Sequence, residues 1–434
     1  MTFEILDFRF FMDLRRKQQL WYMLADFISS ELVWLSFLGF RWMVYDGRVE
    51  TISDMLIPAF NFWLPLLVYP VICLIVYYLS GYYLRPFQKP LWREFLRTFF
   101  SAVFISLLFF FIIIIDDVVE DYHRYWGSLA VLFSMQFVLS YIPRLTITLL
   151  SRRRGIIRTQ VVHSMEEAKQ LVVGEQDEVI VDLPKGYSDR QLYELIAQLY
   201  PLACEISMVP RVYDMLTGAA RIGFIDRPSL IRITEFNMTD SELCIKRAFD
   251  IVMSVVGLVI LSPLFALIAL QVKISSHGPV IYSQERIGKF GLPFRIYKFR
   301  TMIESAEADG VPHLTLDDDP RVTGVGKWLR RYRLDELPQL WNILKGDMSI
   351  VGPRPERPYF IQQIMKEAPY YCLLYKVRPG LTSWGPIRVG YTDTMEKMIE
   401  RLNCDIVYVE NMSLLLDLKI LFFTAGVIIR GKGQ

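Results

Sequence analysis

Residues 330–355 read RRYRLDELPQLWNILKGDMSIVGPRP, and this stretch decides how the polar half of the chain folds. Apolar residues recur from Leu337 to Leu344 at spacings typical of one face of a helix, and Gly346 predicts where that helix ends. Pro338 lacks an N–H and is tolerated only in the first turn, where N–H groups have no partner inside the helix. The helix is therefore predicted to begin at Leu334 or Asp335.

An acidic pair, Asp335 and Glu336, lies at this predicted helix start, directly after Arg330, Arg331 and Arg333. The positive end of a helix dipole favours an ionised carboxylate, and it also favours a bound phosphate. An ionised carboxylate is available as a nucleophile. Asp335 is equally well explained as a helix cap, with the arginines simply exposed to solvent. Residues elsewhere in the chain help to decide whether Asp335 is a nucleophile or a helix cap.

The composition is that of a membrane protein. The chain has 434 residues, enough for two or three domains, and its 53% hydrophobic and 14% aromatic content exceeds that of ordinary soluble proteins. A net charge of +2 gives no reason to expect a nucleic-acid partner. The five cysteines include no CxxC pair, and with four histidines they show no metal-ligand spacing, so we expect reduced thiols. No cleavable signal is expected, because no small-residue cleavage site follows the first apolar run.

Four apolar stretches precede residue 154, each near the ~20 residues that a membrane-spanning helix needs. They cover about Leu20–Phe40, Phe60–Tyr83, Thr98–Ile115 and Trp126–Leu150. Basic residues follow the second and fourth stretches, whereas acidic residues follow the first and third. By the positive-inside rule, both ends of this predicted four-helix bundle face the cytoplasm. Asp26 and Glu31 in the first stretch would mark a transport path or a contact between helices, and we interpret them as the latter.

Residues 155–236 are predicted to form a small α/β unit. Strand-like and helical runs alternate there, which is typical of a parallel sheet. The strands are predicted at Ile156–Val162, Glu178–Asp182 and Glu205–Val209, and the helices at Met165–Val173 and Asp189–Tyr200. No GxGxxG follows the first strand, so no nucleotide is assigned to this unit. A spacer or dimerisation role is the preferred interpretation.

A fifth apolar run, Ile251–Leu270, is long enough to span a membrane but is broken by Ser262 and Pro263. Basic residues flank both ends, and a full crossing would place the basic chain beyond it outside the cell. We therefore predict a re-entrant helix over 246–272 that kinks at its deepest point and returns to the cytoplasmic side. The Ser262 hydroxyl is placed to help satisfy the backbone group that Pro263 leaves unpaired. A kinked spanning helix is the alternative.

Residues 280–302, VIYSQERIGKFGLPFRIYKFRTM, predict two strands joined by a turn at Lys289–Pro293. Lys298 and Arg300 are two residues apart on the second strand. Residues so spaced share one face roughly 6.6 Å apart, which suits the two phosphates of a nucleotide-sugar. Exposed cross-strand partners would explain the pair equally well.

Eight sequence motifs follow one another along the second half of the chain: KRAFD at 246–250, SP at 262–263, GPVIYSQERIG at 278–288, IYKFRTM at 296–302, LRRYRLDELPQLWN at 329–342, LKGDMSIVGPRP at 344–355, VRPGLT at 377–382 and ENMSLLLDLKIL at 410–421. This order resembles the bacterial sugar transferase family of monotopic polyprenyl-phosphate phosphoglycosyl transferases, and its large members with an added four-helix bundle in particular. The resemblance is close from Lys246 to Leu421 and only architectural over residues 1–235.

The resemblance implies transfer of a sugar-1-phosphate from a nucleoside diphosphate sugar, expected to be a UDP-sugar, to polyprenyl (undecaprenyl) phosphate. The nucleoside monophosphate is released, and a surface glycan is begun. Asp335 is implied as the nucleophile that forms an aspartyl phosphosugar, with Glu336 helping the lipid phosphate to attack. Mg²⁺ is implied as cofactor, with Asp335 as the expected ligand. Substrate binding is implied for a set of basic residues, namely Lys298, Arg300, Arg330, Arg354 and Arg378, with Arg354 at the nucleotide end.

The expected fold is that of a membrane protein with α and α/β parts. It has a four-transmembrane-helix bundle at 1–154, a truncated Rossmann-like α/β domain at 155–236 and an α+β catalytic domain at 237–434 that contains the re-entrant helix. Trp328, Trp341 and the tail Leu418–Ile429 are expected to anchor amphipathic elements at the membrane surface. The expected location is the bacterial inner membrane, with the catalytic domain facing the cytoplasm. Whether the protein forms a homodimer stays open.

Two departures from the family pattern limit these expectations. Residues 383–391, SWGPIRVGY, replace a Gly-Leu-Trp-Gln-Val-Asn-Gly-Arg type segment thought to shape sugar choice, so the sugar stays open. The middle domain lacks the first glycine-rich strand–helix unit of larger members. The alternative function is a catalytically idle membrane scaffold or a flippase-like component of glycan export. An idle relative would be expected to lose Asp335 and Glu336, and both are present.

Overall fold

The computed structural model describes residues 2–44, 59–84, 91–111, 122–153, 159–171, 178–184, 186–202, 204–210, 230–234, 237–303, 319–390 and 394–430. The chain divides into two compact units. The first comprises residues 1–158 with 239–245, and the second comprises 159–238 with 246–434.

The first unit is helical. Its helices are α1 (Thr2–Val44), α2 (Ala59–Leu79), α3 (Leu91–Phe109) and α4 (Tyr122–Arg153). Each predicted apolar stretch falls largely on one of them, although the charged connections at 45–58, 85–90 and 112–121 lie outside the described residues. Two stretches, Lys17–Phe40 in α1 and Trp126–Ser151 in α4, are long and apolar enough to cross a membrane. The protein is therefore membrane-associated.

Asp26 of α1 forms a buried ion pair with Arg144 of α4. Arg144 Nε lies 2.6 Å from Asp26 Oδ1 and Nη2 lies 2.8 Å from Oδ2, while the guanidinium is sandwiched between the rings of Tyr77 and Tyr82 at 3.8 and 3.9 Å. A buried charge needs such partners to offset its lost hydration. The prediction that Asp26 makes a contact between helices is confirmed.

The second unit contains short strands between helices. Its strands are β1 (Thr159–Val162), β2 (Glu178–Val181), β3 (Glu205–Met208), β4 (Ile231–Arg232), β5 (Ile281–Ile287), β6 (Pro293–Phe299), β7 (Ser349–Val351) and β8 (Gly380–Thr382). Its helices are α5 (Met165–Lys169), α6 (Asp189–Leu199), α7 (Asp240–Ile260, whose first turn belongs to the first unit), α8 (Ser262–Ser275), α9 (Gly324–Arg331), α10 (Gln339–Lys345), α11 (Pro358–Glu367), α12 (Trp384–Val389), α13 (Met395–Glu410) and α14 (Leu414–Ile429).

The first four strands form one sheet in the order β1-β2-β3-β4, with β1, β2 and β3 parallel and β4 antiparallel to β3. The predicted parallel pairing of three strands is thus confirmed. Ser188 caps α6 by accepting a hydrogen bond from the Gln191 N–H, and the Gln191 side chain accepts one from the Ser188 N–H. This capping box fixes the start of the helix that covers the sheet.

Helices α7 and α8 meet at a bend of 63° around Leu261. Pro263 lacks the N–H that would bond the carbonyl of Val259, and the Ser262 hydroxyl donates to that carbonyl instead, at 2.8 Å. The predicted break at Ser262 and Pro263 is present. The pair counts as one further membrane span, or as a re-entrant loop.

The site is carried by two pairs of strands and the helices between them. Strands β5 and β6 form an antiparallel hairpin, and the short β7 pairs in parallel with β8. A small apolar core joins α8 to β6 and α9 through Ile268, Val272, Phe299 and Leu329. Helix α8 and the hairpin therefore pack together through this core.

Candidate active site

The acidic pair lies in a 3₁₀ turn, Leu334–Glu336, and not in the first turn of an α-helix. Helix α10 begins at Gln339, with Pro338 as its N-cap, and ends at Gly346, which has φ 101°. The predicted end is correct, but the predicted start at Leu334 or Asp335 is wrong. Arg333 adopts a left-handed conformation, with φ 53°, and this separates α9 from the turn. Such a conformation in a non-glycine residue is uncommon and often lies at functional sites.

Glu336 is surrounded by cations. Lys298 Nζ lies 2.7 Å from Glu336 Oε1, Arg354 Nη2 lies 3.2 Å from the same oxygen, and Arg333 Nη1 lies 3.4 Å from Oε2. Burial alone would raise the pKa of Glu336, but these cations hold it well below its usual range. Glu336 is therefore ionised over the whole physiological range and binds protons too weakly to be a strong base.

Asp335 is equally buried, at 8% exposure, but its surroundings differ. Within the described residues its carboxylate makes no hydrogen bond or ion pair. Burial raises the pKa of Asp335 to about 6, with Glu336 acting in the same direction and Lys298 against it. Their environments thus raise the pKa of Asp335 and lower that of the adjacent Glu336. Such a difference is typical of carboxylates with different catalytic roles. At neutral pH Asp335 is ionised and lacks a partner.

The expected lowering of the Asp335 pKa by a helix N-terminus is wrong. The carboxylate precedes α10 by a turn that contains Pro338, so α10 does not begin at Asp335. Burial determines the direction of the shift instead. A carboxylate with a pKa near 6 is still mostly ionised at pH 7, and it is a stronger nucleophile than one with a depressed pKa.

Long-range hydrogen bonds place the hairpin against this turn. The Asn342 amide of α10 donates to the Arg295 carbonyl at 2.7 Å and accepts from the Tyr297 N–H at 3.1 Å. Asn342 is fully buried and so fixes the position of β6, which brings Lys298 to Glu336. No sequence pattern indicated this role, because an asparagine on a helix is ordinary until its partner strand is known.

The other predicted binding residues divide into two groups. Arg354 contacts Glu336, and Arg330 lies on α9 with Nε donating to Thr301 Oγ1 at 2.9 Å, close enough to Asp335 to influence its charge. Arg300 instead donates from Nη2 to the Ser276 carbonyl at 2.7 Å, at the end of α8. Arg378 donates from Nε to the Gly346 carbonyl at 2.9 Å.

Arg300 and Arg378 are thus held by helix ends, as cations at helix C-termini commonly are. The structure does not bring Arg300 to the acidic pair beside Lys298, because its guanidinium turns toward α8. Their binding of substrate stays a prediction. The contacts that the structure shows for them are structural.

Close approach of two backbones positions Arg354. A Cβ added to Gly380 would lie 2.1 Å from the Gly352 nitrogen, so only glycine fits beside the segment that follows β7. The Gly380 N–H donates to the Pro353 carbonyl at 2.9 Å, and the Arg354 N–H donates to Asp405 Oδ2 at 3.3 Å. Asp405 also accepts from the Ser383 hydroxyl and the Gly385 N–H. Sequence reasoning missed Asp405, which looks like any acid on an amphipathic helix.

A small cavity adjoins Arg354. Among the described residues its lining is mostly apolar and aromatic, with Arg354 as the charged member: Ile287, Gly288, Pro353, Arg354, Pro355, Tyr371, Leu374, Tyr375, Val377 and Pro379. Its volume is ≈ 10 Å³, which is room for about one water molecule.

The described residues include no group of three or more His, Cys, Asp or Glu side chains that could hold a metal ion. Mg²⁺ is nevertheless often held by one or two carboxylates together with phosphate oxygens of the substrate. Asp335 offers such a carboxylate, since it has no ion pair in the described part of the chain. The residues present therefore fit Mg²⁺ only together with a bound phosphate.

A buried carboxylate pair surrounded by cations thus lies in a membrane-associated protein that also contains a bent apolar helix pair. The chain belongs to the bacterial sugar transferase family, whose model matches residues 241–431. All the residues of the site lie inside that range.

Curated relatives support this membership. The chain is 40% identical over 199 residues to an exopolysaccharide production protein of Rhizobium leguminosarum bv. phaseoli, covering 44% of this chain and 99% of the relative. It is 35% identical over 257 residues to the UDP-N-acetylgalactosamine-undecaprenyl-phosphate N-acetylgalactosaminephosphotransferase of Aeromonas hydrophila, covering 59% and 60%. It is 40% identical over 233 residues to the UDP-glucose:undecaprenyl-phosphate glucose-1-phosphate transferase of Escherichia coli (strain K12), covering 53% and 50%. The chain thus matches about half the length of the last two.

Proposed function

We propose that the protein transfers a sugar-1-phosphate from a nucleoside diphosphate sugar to polyprenyl phosphate. The observation that carries this proposal is the contrast between two adjacent buried carboxylates: Glu336 is ion-paired, whereas Asp335 has no ion pair in the part of the chain that the structure describes. The names of the relatives supply the substrates, a UDP-sugar and undecaprenyl phosphate. The product begins the assembly of an exopolysaccharide, capsule or O-antigen glycan.

The first half-reaction forms one bond and breaks another at the same phosphorus. An oxygen of Asp335 attacks the phosphorus that carries the sugar, and the bond from that phosphorus to the bridging oxygen breaks. The nucleoside monophosphate leaves with the electron pair, and an aspartyl phosphosugar remains. In the second half, an oxygen of the polyprenyl phosphate attacks this phosphorus and the Asp335 carboxylate leaves. No oxidant or reductant is needed.

Positive charge offsets the charge that develops on the diphosphate. Lys298 and Arg354 already converge on Glu336, and Arg330 acts on Asp335 from α9, so the cations are in place before substrate binds. Preorganised charge costs no rearrangement during the reaction. Glu336 keeps these cations together. Its help to the attacking lipid phosphate stays a prediction, because an acid so strongly ion-paired is a weak base.

Asp335, together with phosphate oxygens of the substrate, would hold Mg²⁺, and the ion would supply further charge neutralisation. The family resemblance puts Arg354 at the nucleotide end of the site, so the diphosphate would extend from Arg354 toward Asp335.

The membrane parts suit these two substrates. We place a four-helix bundle at 1–154, a truncated Rossmann-like domain at 155–236 and the catalytic domain at 237–434, on the cytoplasmic face of the inner membrane. The bent pair α7 and α8 would hold the site at headgroup level, and the exposed Trp328, Trp341 and Phe422 would anchor the surface around it.

The test is release of nucleoside monophosphate by the purified full chain, given undecaprenyl phosphate and a panel of UDP-sugars. Asp335→Asn should abolish release, and Asp189→Asn, which changes an exposed acid on α6, should retain it. Intact-mass analysis without lipid acceptor should show one added phosphosugar on the parent chain and none on Asp335→Asn. A phosphosugar on another residue would overturn the assignment of Asp335. No release from any UDP-sugar would favour the idle scaffold.

A further inference from the structure

Four consecutive residues, Pro353–Glu356, are each held by a residue distant in the chain. We call these four the arginine arm, because they carry Arg354, whose guanidinium reaches Glu336 at 3.2 Å. Two of the four are prolines, whose rings fix φ. At the start of the arm, the Pro353 carbonyl accepts a hydrogen bond from the Gly380 N–H at 2.9 Å.

Strand β5 holds the end of the arm. The Ile287 N–H donates to the Glu356 carbonyl at 3.2 Å, and Arg286 Nη1 donates to the Pro355 carbonyl at 3.1 Å. The same Nη1 lies 3.5 Å from Glu356 Oε2. Both the backbone and the side chain of the last residue in the arm are thus tied to β5.

Helix α13 holds the arm with two further side chains, one turn apart. Arg401 Nη2 forms an ion pair with Glu356 Oε1, and Asp405 Oδ2 accepts a hydrogen bond from the Arg354 N–H at 3.3 Å. Both side chains are buried, and residues four apart lie on one face of a helix. One helix face therefore fixes the residue that carries the guanidinium and the residue two positions after it.

The Asp405 carboxylate accepts hydrogen bonds on both of its oxygens. Oδ2 accepts from the Arg354 N–H, whereas Oδ1 accepts from the Gly385 N–H at 2.8 Å and from the Ser383 hydroxyl. An asparagine has one acceptor oxygen, and its NH2 group only donates. In either orientation, Asp405→Asn therefore turns the NH2 group toward a backbone N–H, and a buried donor is left facing another donor.

We propose that Asp405 and Arg401 are positioning residues that hold Arg354 against the acidic pair. Both act through the arginine arm, by fixing where its backbone lies. A charged donor is most effective when its position is set before the reaction, and a displacement of about 1 Å can lower a rate about a hundredfold. This inference rests on the proposed function for the reaction that Arg354 assists.

The test is a cycle of four proteins: the parent chain, Asp405→Asn, Arg354→Ala and the double variant. Alanine keeps the N–H that bonds Asp405 and removes only the guanidinium that the arm positions. We expect Asp405→Asn to lower kcat/KM for the UDP-sugar about tenfold when Arg354 is present, which is within the range of coupling in one hydrogen-bond network. In the Arg354→Ala background it should have no further effect.

Two outcomes of this cycle would overturn the inference. Equal losses of kcat/KM in both backgrounds would show that Asp405 acts on the site by another route. An unchanged kcat/KM in Asp405→Asn with Arg354 intact would show that the arm does not need the carboxylate.

Thermal unfolding of the same four proteins in detergent separates this inference from the proposed function, because it needs no transfer. Arg354→Ala removes the ion pair with Glu336 and should lower the Tm of the parent chain. If Asp405→Asn has already moved the guanidinium away from Glu336, Arg354→Ala should lower the Tm less in that background. An equal change of Tm in both backgrounds overturns the positioning role, whether or not transfer is detected.

Val409→Ala is the matched control for general destabilisation, because it truncates a buried side chain one turn further along α13. Its effects on Tm and on kcat/KM should be the same with and without the Arg354 guanidinium. Coupling to Arg354 as large as that of Asp405→Asn would overturn the inference. If Asp405→Asn does not fold, Arg401→Lys takes its place in both cycles, since lysine keeps the charge but lacks the planar fork of arginine.

Discussion

Lys298 Nζ lies 2.7 Å from Glu336 Oε1, so the cation of strand β6 pairs with the neighbour of Asp335, and Asp335 itself has no ion pair among the described residues. A lysine paired directly with the nucleophile would lower its pKa and its reactivity together. Pairing with Glu336 keeps positive charge in the site while Asp335 stays reactive. Arg354 and Arg333 complete the ion pairs of Glu336.

Lys298→Ala should lower kcat/KM by about 2–4 kcal/mol of transition-state stabilisation, as for other preorganised charge donors. It should also raise the pKa of Asp335, because the lysine charge now lowers it, and so move the acidic limb of the rate profile to higher pH. Lys366→Ala, at an exposed position on α11, is the control. An unchanged kcat/KM in Lys298→Ala would mean that the lysine is only a strand residue.

The pH dependence should follow the titration of Asp335 in the free enzyme. With a pKa of about 6, the carboxylate is mostly ionised at pH 7 and mostly protonated at pH 5, so kcat/KM should fall as the pH drops through 6. The measurement is kcat/KM for the UDP-sugar from pH 5 to pH 8. A profile flat down to pH 5 would show that another group limits the reaction.

The same shift predicts a gain in stability for Asp335→Asn. A carboxyl whose folded pKa is raised from 3.8 to about 6 binds its proton more tightly in the folded state. Its contribution is therefore favourable at low pH and is lost as the pH rises from 3.8 through 6. Above pH 6 the amide should be more stable by on the order of 2 kcal/mol.

Thermal unfolding in detergent checks the sign of this effect. Asp335→Asn should melt above the parent chain at pH 8, and the difference should vanish near pH 4. Glu194→Gln, at an exposed position on α6, should show no such pattern. A lower Tm for Asp335→Asn at pH 8 would contradict the raised pKa.

Arg300 is expected to stabilise the folded protein. Its Nη2 bonds the Ser276 carbonyl at 2.7 Å and hydroxyl at 3.0 Å, and the side chain is 7% exposed. Arg300→Ala would leave these acceptors unpaired and a cavity behind, at a cost of about 2–4 kcal/mol. We expect a lower Tm, with a kcat/KM loss smaller than that of Lys298→Ala. A stable variant with an equally large loss would restore the diphosphate role predicted for Arg300.

The features that the sequence predicted correctly are those determined by residues close to them in the chain. The break at Ser262 and Pro263, the strands of the parallel sheet and the end of α10 at Gly346 all follow from residues within one turn of the feature. The start of α10 was wrong, because the left-handed Arg333 and the 3₁₀ turn were not visible in the apolar periodicity.

Contacts between distant residues were beyond sequence reasoning. Asn342 bonds the backbone of β6, and Asp405 bonds the Arg354 N–H, across 47 and 51 residues of chain. Lys298 and Arg300 looked equivalent from their spacing, yet one meets Glu336 and the other the end of α8. Only the fold distinguishes them, because it decides which neighbour each side chain meets.

The contacts at the two ends of the bent pair α7 and α8 lead to a prediction of its membrane topology. At one end, Lys246 Nζ donates to the Val351 carbonyl at 2.8 Å, and Arg247 Nη1 donates to the Ile343 carbonyl at 2.7 Å. At the other end, the Ser276 carbonyl accepts from Arg300. All these partners belong to one folded unit with a charged centre. Because one folded unit is not expected to be divided by a bilayer, we predict that both ends of the pair lie on the same side of the membrane.

Thiol labelling tests this topology in a version of the chain that lacks its five native cysteines. Single cysteines replace Ser241 and Ser276, and a membrane-impermeant reagent is applied to intact and to opened cells. Both sites should be labelled only in opened cells, because both flanks then face the cytoplasm. Labelling of the Ser276 site in intact cells, with the Ser241 site protected, would show that the pair spans the membrane. Pro263→Leu is expected to make part of the Ser276 sites accessible to the reagent in intact cells, since it restores the missing N–H and favours a straight helix.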